Sequence, residues 1–190
     1  MESPQFAHWI AGRPRGSLRA AHFLQSAADQ SDLRFPRAGV EDLEQAWQAL
    51  AARSRASRSQ IWALLQHTLY VLRRDEDLPA QVATSLGLER DEALAWLDAD
   101  LFACEEALEM LRDGGEGAPR GNGVFVAHWS DGIGRLAAKC ARALLCRDGL
   151  LLLGDPRLPW GAQALARALF SAGLDDGALA LLWDDTWTLR

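Results

Sequence analysis

Apolar positions along this chain follow two rhythms. From Val40 to Arg112 they recur every three and four residues, the spacing of a helix face; from Gly123 onward, unbroken apolar runs alternate with helical stretches. Leu43, Ala46, Trp47 and Leu50 mark a first helix, with Glu41 and Asp42 in its first turn, where the helix dipole favours acids. "SRSQ", Ser57 to Gln60, reads as a capping box. The helix it opens would bury Ile61, Leu64, Leu65, Thr68, Leu69 and Leu72, with Arg73 and Arg74 at its end. "LPAQVATSLG" predicts a shorter third helix, with Pro79 in its first turn and Gly87 as its stop. A fourth runs from about Arg90 to Arg112, with Leu94, Leu97, Leu101, Cys104, Leu108 and Leu111 as its buried stripe.

"DGGEGAPRGNG", residues 113–123, breaks this pattern. Beyond it "GVFVA" predicts a strand, Gly134 to Leu145 a helix, and "LLLL" at 150–153 a strand. "GAQALARALFSAG" predicts a helix closed by Gly173, and "ALALLW" a third strand. Strands apolar on both faces, alternating with helices, indicate a parallel sheet covered on both sides. The expected fold class is α/β, with N-terminal helices followed by a small parallel βαβαβ Rossmann-like sheet. Residues 1–38 form an irregular arm, in which "FAHWIAG" and "RAAHFLQ" are expected to pair as a hairpin through "RPRGS". Residues 39–112 are helical, 113–123 a glycine-rich linker and 124–190 the partial Rossmann-like unit, all in one domain.

The chain's 190 residues suffice for one domain with a real core. A net charge of −6 disfavours nucleic acid and anionic membrane as partners. Neither a transmembrane run nor the apolar core of a signal peptide is legible. Cys104, Cys140 and Cys146 sit in helical contexts, at spacings unlike any zinc motif, and read as reduced thiols of a cytoplasmic protein. His8, His22, His67 and His128 have no partner at metal-ligand spacing, so no metal site is expected.

One motif carries possible cofactor chemistry. "GIGRLA", Gly132 to Ala137, matches G-x-G-x-x-A between a strand and a helix, and Asp155 ends the next strand, where a ribose-binding acid would stand. On that reading Gly132, Gly134 and Asp155 would bind NAD or NADP. Against it, His128 to Asp131 lengthen the turn, and Asp131 would turn negative charge toward a pyrophosphate.

The order of segments also resembles the N-terminal half of the aldehyde dehydrogenase superfamily. "FVAHWSDGIGRLAAKCARALL" resembles the family's first Rossmann strand, its Trp-bearing turn and the helix after it, with Trp129 in the place of the family's Trp. "LLLLGDP" resembles the second strand, and "ALARALFSAGLDDG" the next helix with its Gly-Leu turn. Upstream, "AGVEDLEQAWQAL" and "RSQIWALLQHTLYVLRRDEDLPAQVATSLGL" resemble the family's early helices. The resemblance covers roughly residues 36 to 185 and implies part of that fold.

Its departures imply lost chemistry. Ser130 stands where the family's oxyanion asparagine would be, and Gly154 or Asp155 where its cofactor lysine would be. The family's Gly-Ser-Thr turn, glutamate base and nucleophilic cysteine have no counterpart before Arg190. The resemblance therefore implies a truncated, inactive protein with no catalytic residues and no bound cofactor. It would act by binding a protein partner, either itself or a full-length dehydrogenase. Trp183 and Trp187, on "WDDTWTLR" after a sheet that looks unfinished, are the expected docking residues. The acidic runs "RRDED" and "LERDEALAWLDAD" read as solvated helix faces.

Overall fold

The computed structural model describes residues 6–26, 32–51, 57–112, 121–146, 149–157 and 159–185. Four short strands come first: β1 (His8–Ile10), β2 (Arg13–Arg15), β3 (His22–Ser26) and β4 (Asp32–Pro36). Helices α1 (Val40–Ala51), α2 (Arg58–Arg73), α3 (Leu78–Leu86) and α4 (Arg90–Arg112) follow. Then come β5 (Gly123–Val126), a 3₁₀ turn at Trp129–Asp131, α5 (Gly132–Cys146), β6 (Leu150–Gly154), α6 (Pro159–Ser171) and β7 (Leu179–Trp183).

The helices start and stop for the reasons legible in their sequence. The Ser57 side chain accepts the Gln60 amide and Gln60 returns the bond to the Ser57 amide, closing the capping box. Gly87 ends α3 in the left-handed conformation (φ +67°) that costs glycine least. On α4 the buried stripe is Ala93, Leu97, Leu101, Cys104 and Leu108. Leu94, expected in that stripe, is 46% exposed, because Ala93 takes the inward position one turn before Leu97. The Leu111 side chain lies outside what is described.

β5, β6 and β7 are parallel, as expected, with Val124 opposite Leu151 and Leu152 opposite Leu181. The N-terminal arm differs from expectation twice. β1 turns tightly into β2 rather than pairing with β3, and β3 pairs with β4 instead. β1 then joins the main sheet antiparallel to β7, with Trp9 opposite Leu181. The sheet order is therefore β2-β1-β7-β6-β5. β7 is the central strand and not an open edge, so an unfinished sheet at "ALALLW" is corrected.

The two faces of this sheet carry separate cores. Leu150, Leu152, Leu179, Leu181 and Trp183 face the large core under α2 to α6. Leu151, Ala180 and Leu182 face a smaller one, closed by Ile10 and by Ala46 and Leu50 of α1.

Candidate functional site

The junction between β5 and α5 decides whether a dinucleotide can sit here. His128 is extended, and its Nδ1 accepts the Ser130 amide at 3.3 Å, with the Ser130 hydroxyl 2.6 Å away. Asp131, just before α5, is bonded within the turn and to the helix that follows. One of its oxygens accepts the His128 amide at 3.2 Å and the other holds Lys139 Nζ at 2.5 Å. The turn is thus tied back on itself before Gly132 (φ +67°) opens α5.

The negative charge at this helix end comes from elsewhere. Asp100, on α4, accepts the Gly134 amide at 2.5 Å and the Arg135 amide at 3.4 Å. These are the free amides with which a helix N-terminus binds an anion. Burial pushes the Asp100 carboxyl above its usual range, against the amide bonds from Gly134, Arg135 and Ile133 that favour its charge. The two glycines serve the same approach. A Cβ on Gly132 would lie 2.6 Å from an Asp100 carboxylate oxygen. One on Gly134 would overlap the Asp100 carbonyl oxygen and stand 2.6 Å from its carbon. Glycine at both positions lets two helices touch; the motif explains the packing of α4 on α5 without any ligand.

Asp155 does stand just outside the carboxyl end of β6, where ligands of open α/β sheets bind. It is 6% exposed, and Arg157 grips it through Nε at 2.9 Å and a terminal nitrogen at 2.6 Å, while the Arg157 amide bonds the same carboxylate at 2.9 Å. The cavity beside it, lined by Ser26, Leu33, Ser85 and Arg157, has a volume of about 190 Å³. Cofactor pockets start near 300 Å³.

Trp183 is not a docking residue. It is fully buried, 5.2 Å from the Phe35 ring and 5.8 Å from Phe6, and its indole donates to the Ala7 carbonyl at 2.8 Å. Its amide donates to His8 Nδ1 at 3.2 Å. Gly154 makes room for it, since a Cβ there would stand 2.6 Å from Cε3 of the indole. Trp187 lies outside the described residues.

Burial pushes the Cys104 and Cys140 thiols up to about 12, so neither supplies a thiolate near neutral pH. The Cys146 and Trp129 side chains lie outside what is described. Among the described residues no group of three or more His, Cys, Asp or Glu is placed to hold a metal ion, and no helix is long and apolar enough to cross a membrane.

Sequence reasoning missed Asp100 by placing it on a solvated face. Its spacing gave the signal: it falls three residues after Leu97 and four before Cys104, beside the buried stripe.

Helices packed on a mixed sheet with this strand order define part of the aldehyde dehydrogenase fold. A protein assigned as methylmalonate-semialdehyde dehydrogenase from Sinorhizobium meliloti, solved with NAD, matches 97% of this chain at a TM-score of 0.77 and 18% identity. An NAD-dependent aldehyde dehydrogenase from the same organism matches 96% at 0.75 and 16%. A 3,6-anhydro-L-galactose dehydrogenase solved with NAP matches 95% at 0.74 and 16%. The chain spans less than half the length of these structures, 42%, 41% and 43% respectively. No family model matches, and neither does any curated protein.

Proposed function

We propose that this chain is a non-catalytic protein of aldehyde dehydrogenase fold, which acts in the cytoplasm as a regulatory or structural subunit by binding another protein. The observation that carries this reading is the Asp100 carboxylate on the Gly134 and Arg135 amides. A pyrophosphate at that helix end would have to displace the partly buried Asp100 carboxylate and push α4 aside. The raised thiols of Cys104 and Cys140 weigh the same way, because aldehyde oxidation in this fold would need a thiolate.

Calorimetry with NAD and NADP tests the reading. Binding no tighter than about millimolar, roughly −4 kcal/mol, is expected, together with no turnover on a panel of aldehydes. Micromolar binding abolished by Gly134→Val would overturn it, as would turnover lost in Cys140→Ala or Cys146→Ala. The second reading, a dinucleotide-binding accessory subunit of an NAD(P)-dependent aldehyde dehydrogenase, draws on the position of Asp155 at the end of β6 beside a cavity. It requires Arg157 to release that carboxylate to a ribose.

A further inference from the structure

β1 is lightly held to the rest of the main sheet. β7 pairs with β6 along its whole length, from Leu179 opposite Leu150 to Trp183 opposite Gly154. With β1, only three residues long, it is in register at Leu181 and Trp9. Three hydrogen bonds stand beside that pair. The Trp183 amide donates to His8 Nδ1 at 3.2 Å, the Trp183 indole to the Ala7 carbonyl at 2.8 Å, and the Ala7 amide to Gln163 Oε1 of α6 at 3.3 Å.

The first of these bonds fixes where protons sit on His8. Nδ1 gives its lone pair to the Trp183 amide, so the neutral ring carries its proton on Nε2. His8 is fully buried, and among the described residues Nε2 has no hydrogen-bond partner. A second proton can enter only at Nδ1, on the lone pair that binds β7. Two N–H groups would then point at each other, and the seam would lose this bond. The surrounding charges supply no replacement. Asp42 of α1 favours the charged ring, but its oxygens already accept the Ser17 hydroxyl and the Leu18 and Gly39 amides. His22 of β3 opposes the charged ring, and Arg15, a further cation, lies opposite His8 on β2.

We propose that His8 is a proton-operated clasp: when its imidazole is protonated, the β1–β2 hairpin lets go of β7 while the β5–β6–β7 sheet stays folded. What the clasp controls is access to one edge of β7. With β1 away, the backbone groups of that edge have no strand partner, the condition in which a sheet accepts another strand. The opening also uncovers Ile10, which is fully buried while the seam is closed. The linkage has a definite sign. Burial holds the ring near pKa 4, against 6.5 in water. The open hairpin therefore takes up the proton first. Its population climbs as pH falls from about 6.5 to about 4, by up to about three-hundredfold. The clasp operates whether or not the chain has a protein partner.

Hydrogen exchange followed by NMR on the full chain, from about pH 7 to about pH 4 and in low urea, tests the clasp. Corrected for the intrinsic rate at each pH, protection of the Trp183 amide, its indole N–H and the Ala7 amide should fall together, by up to about three-hundredfold. Their exchange should barely respond to urea, because a local opening exposes little surface. The Ala127 and Leu150 amides, bonded to the Leu153 and Ala178 carbonyls, should stay better protected at every pH and respond steeply to urea. In His8→Gln the side-chain oxygen can accept the Trp183 amide at any pH, and the fall should vanish. If that variant fails to fold, nitrogen shifts of the parent's imidazole should place the neutral ring's proton on Nε2 and show Nδ1 protonated only as the Trp183 amide loses protection. A fall that persists in His8→Gln overturns the proposal, as does a ring protonated on both nitrogens under an intact Trp183 amide. So does a shared urea slope and protection for the two sets of amides, which would mean that the hairpin leaves only when the whole chain unfolds.

Discussion

Replacing Gly134 by alanine adds one methyl group where α5 meets α4. That carbon would overlap the Asp100 carbonyl oxygen and stand 2.6 Å from the carbonyl carbon and 3.1 Å from the Leu101 nitrogen. All three are backbone atoms, so no side chain can swing away and the helices themselves must part. Overpacking of this kind costs about 1–3 kcal/mol. Parting the helices also stretches the Asp100 bond to the Gly134 amide, and loss of a cap costs about 1 kcal/mol. Alanine's better helix propensity returns about 1 kcal/mol. The net expectation is a loss of about 1–3 kcal/mol, or roughly 2–12 °C in Tm at 2–4 °C per kcal/mol for a chain of this size. Urea unfolding followed by tryptophan fluorescence measures it, provided the m-value is unchanged. Gly16→Ala is the control: a Cβ there meets nothing within 4 Å, and stability should stay within about 0.5 kcal/mol. If Gly134→Ala is as stable as the parent, helix packing does not explain this glycine, and the phosphate-binding account regains its footing.

Asp100→Ala leaves the first amides of α5 without their acceptor and should cost about 1–2 kcal/mol in the same urea assay; a neutral result would remove the cap from the account. Trp183→Ala should cost about 3–5 kcal/mol, the range for truncating a fully buried aromatic, measured by calorimetric melting. Burial holds the His8 imidazole near pKa 4, while the unfolded chain titrates near 6.5. The unfolded state therefore binds the proton first, and stability present above about pH 6.5 falls as pH drops toward about 4, by on the order of 3 kcal/mol. His8→Gln should flatten that part of the pH–stability curve, and an unchanged slope would show that His8 is not its source.

The helices were legible because each carries its own punctuation: the Ser57–Gln60 box, Pro79 and Gly87, and the period of Leu97, Leu101 and Cys104. The three parallel strands were legible as unbroken apolar runs. The N-terminal hairpin was not. Its two-residue turn is Ala11–Gly12, both with positive φ (51° and 68°), and alanine there gives none of the usual asparagine or aspartate signal. The pairing of β1 with β7 had no local signal at all, since the partners lie at opposite ends of the chain. The same gap hid the burial of Trp183, whose neighbours Phe6 and Phe35 arrive from the arm. At the glycine motif, sequence gave the turn and the helix but not the occupant, because Asp100 reaches it from another helix.

The central position of β7 fixes the order in which this sheet can be assembled during synthesis. β1 is made long before its partner β7, since His8 and Trp183 are 175 residues apart. At 5–20 residues per second the hairpin waits about 10–35 s for that partner. Meanwhile β5 and β6 can form a two-stranded ribbon with α5, while the apolar side chains of the arm stay uncovered. Closure of the sheet between β1 and β7 therefore has to wait for β7, and an arm released before then is the point at which a nascent copy would be open to a chaperone or to aggregation.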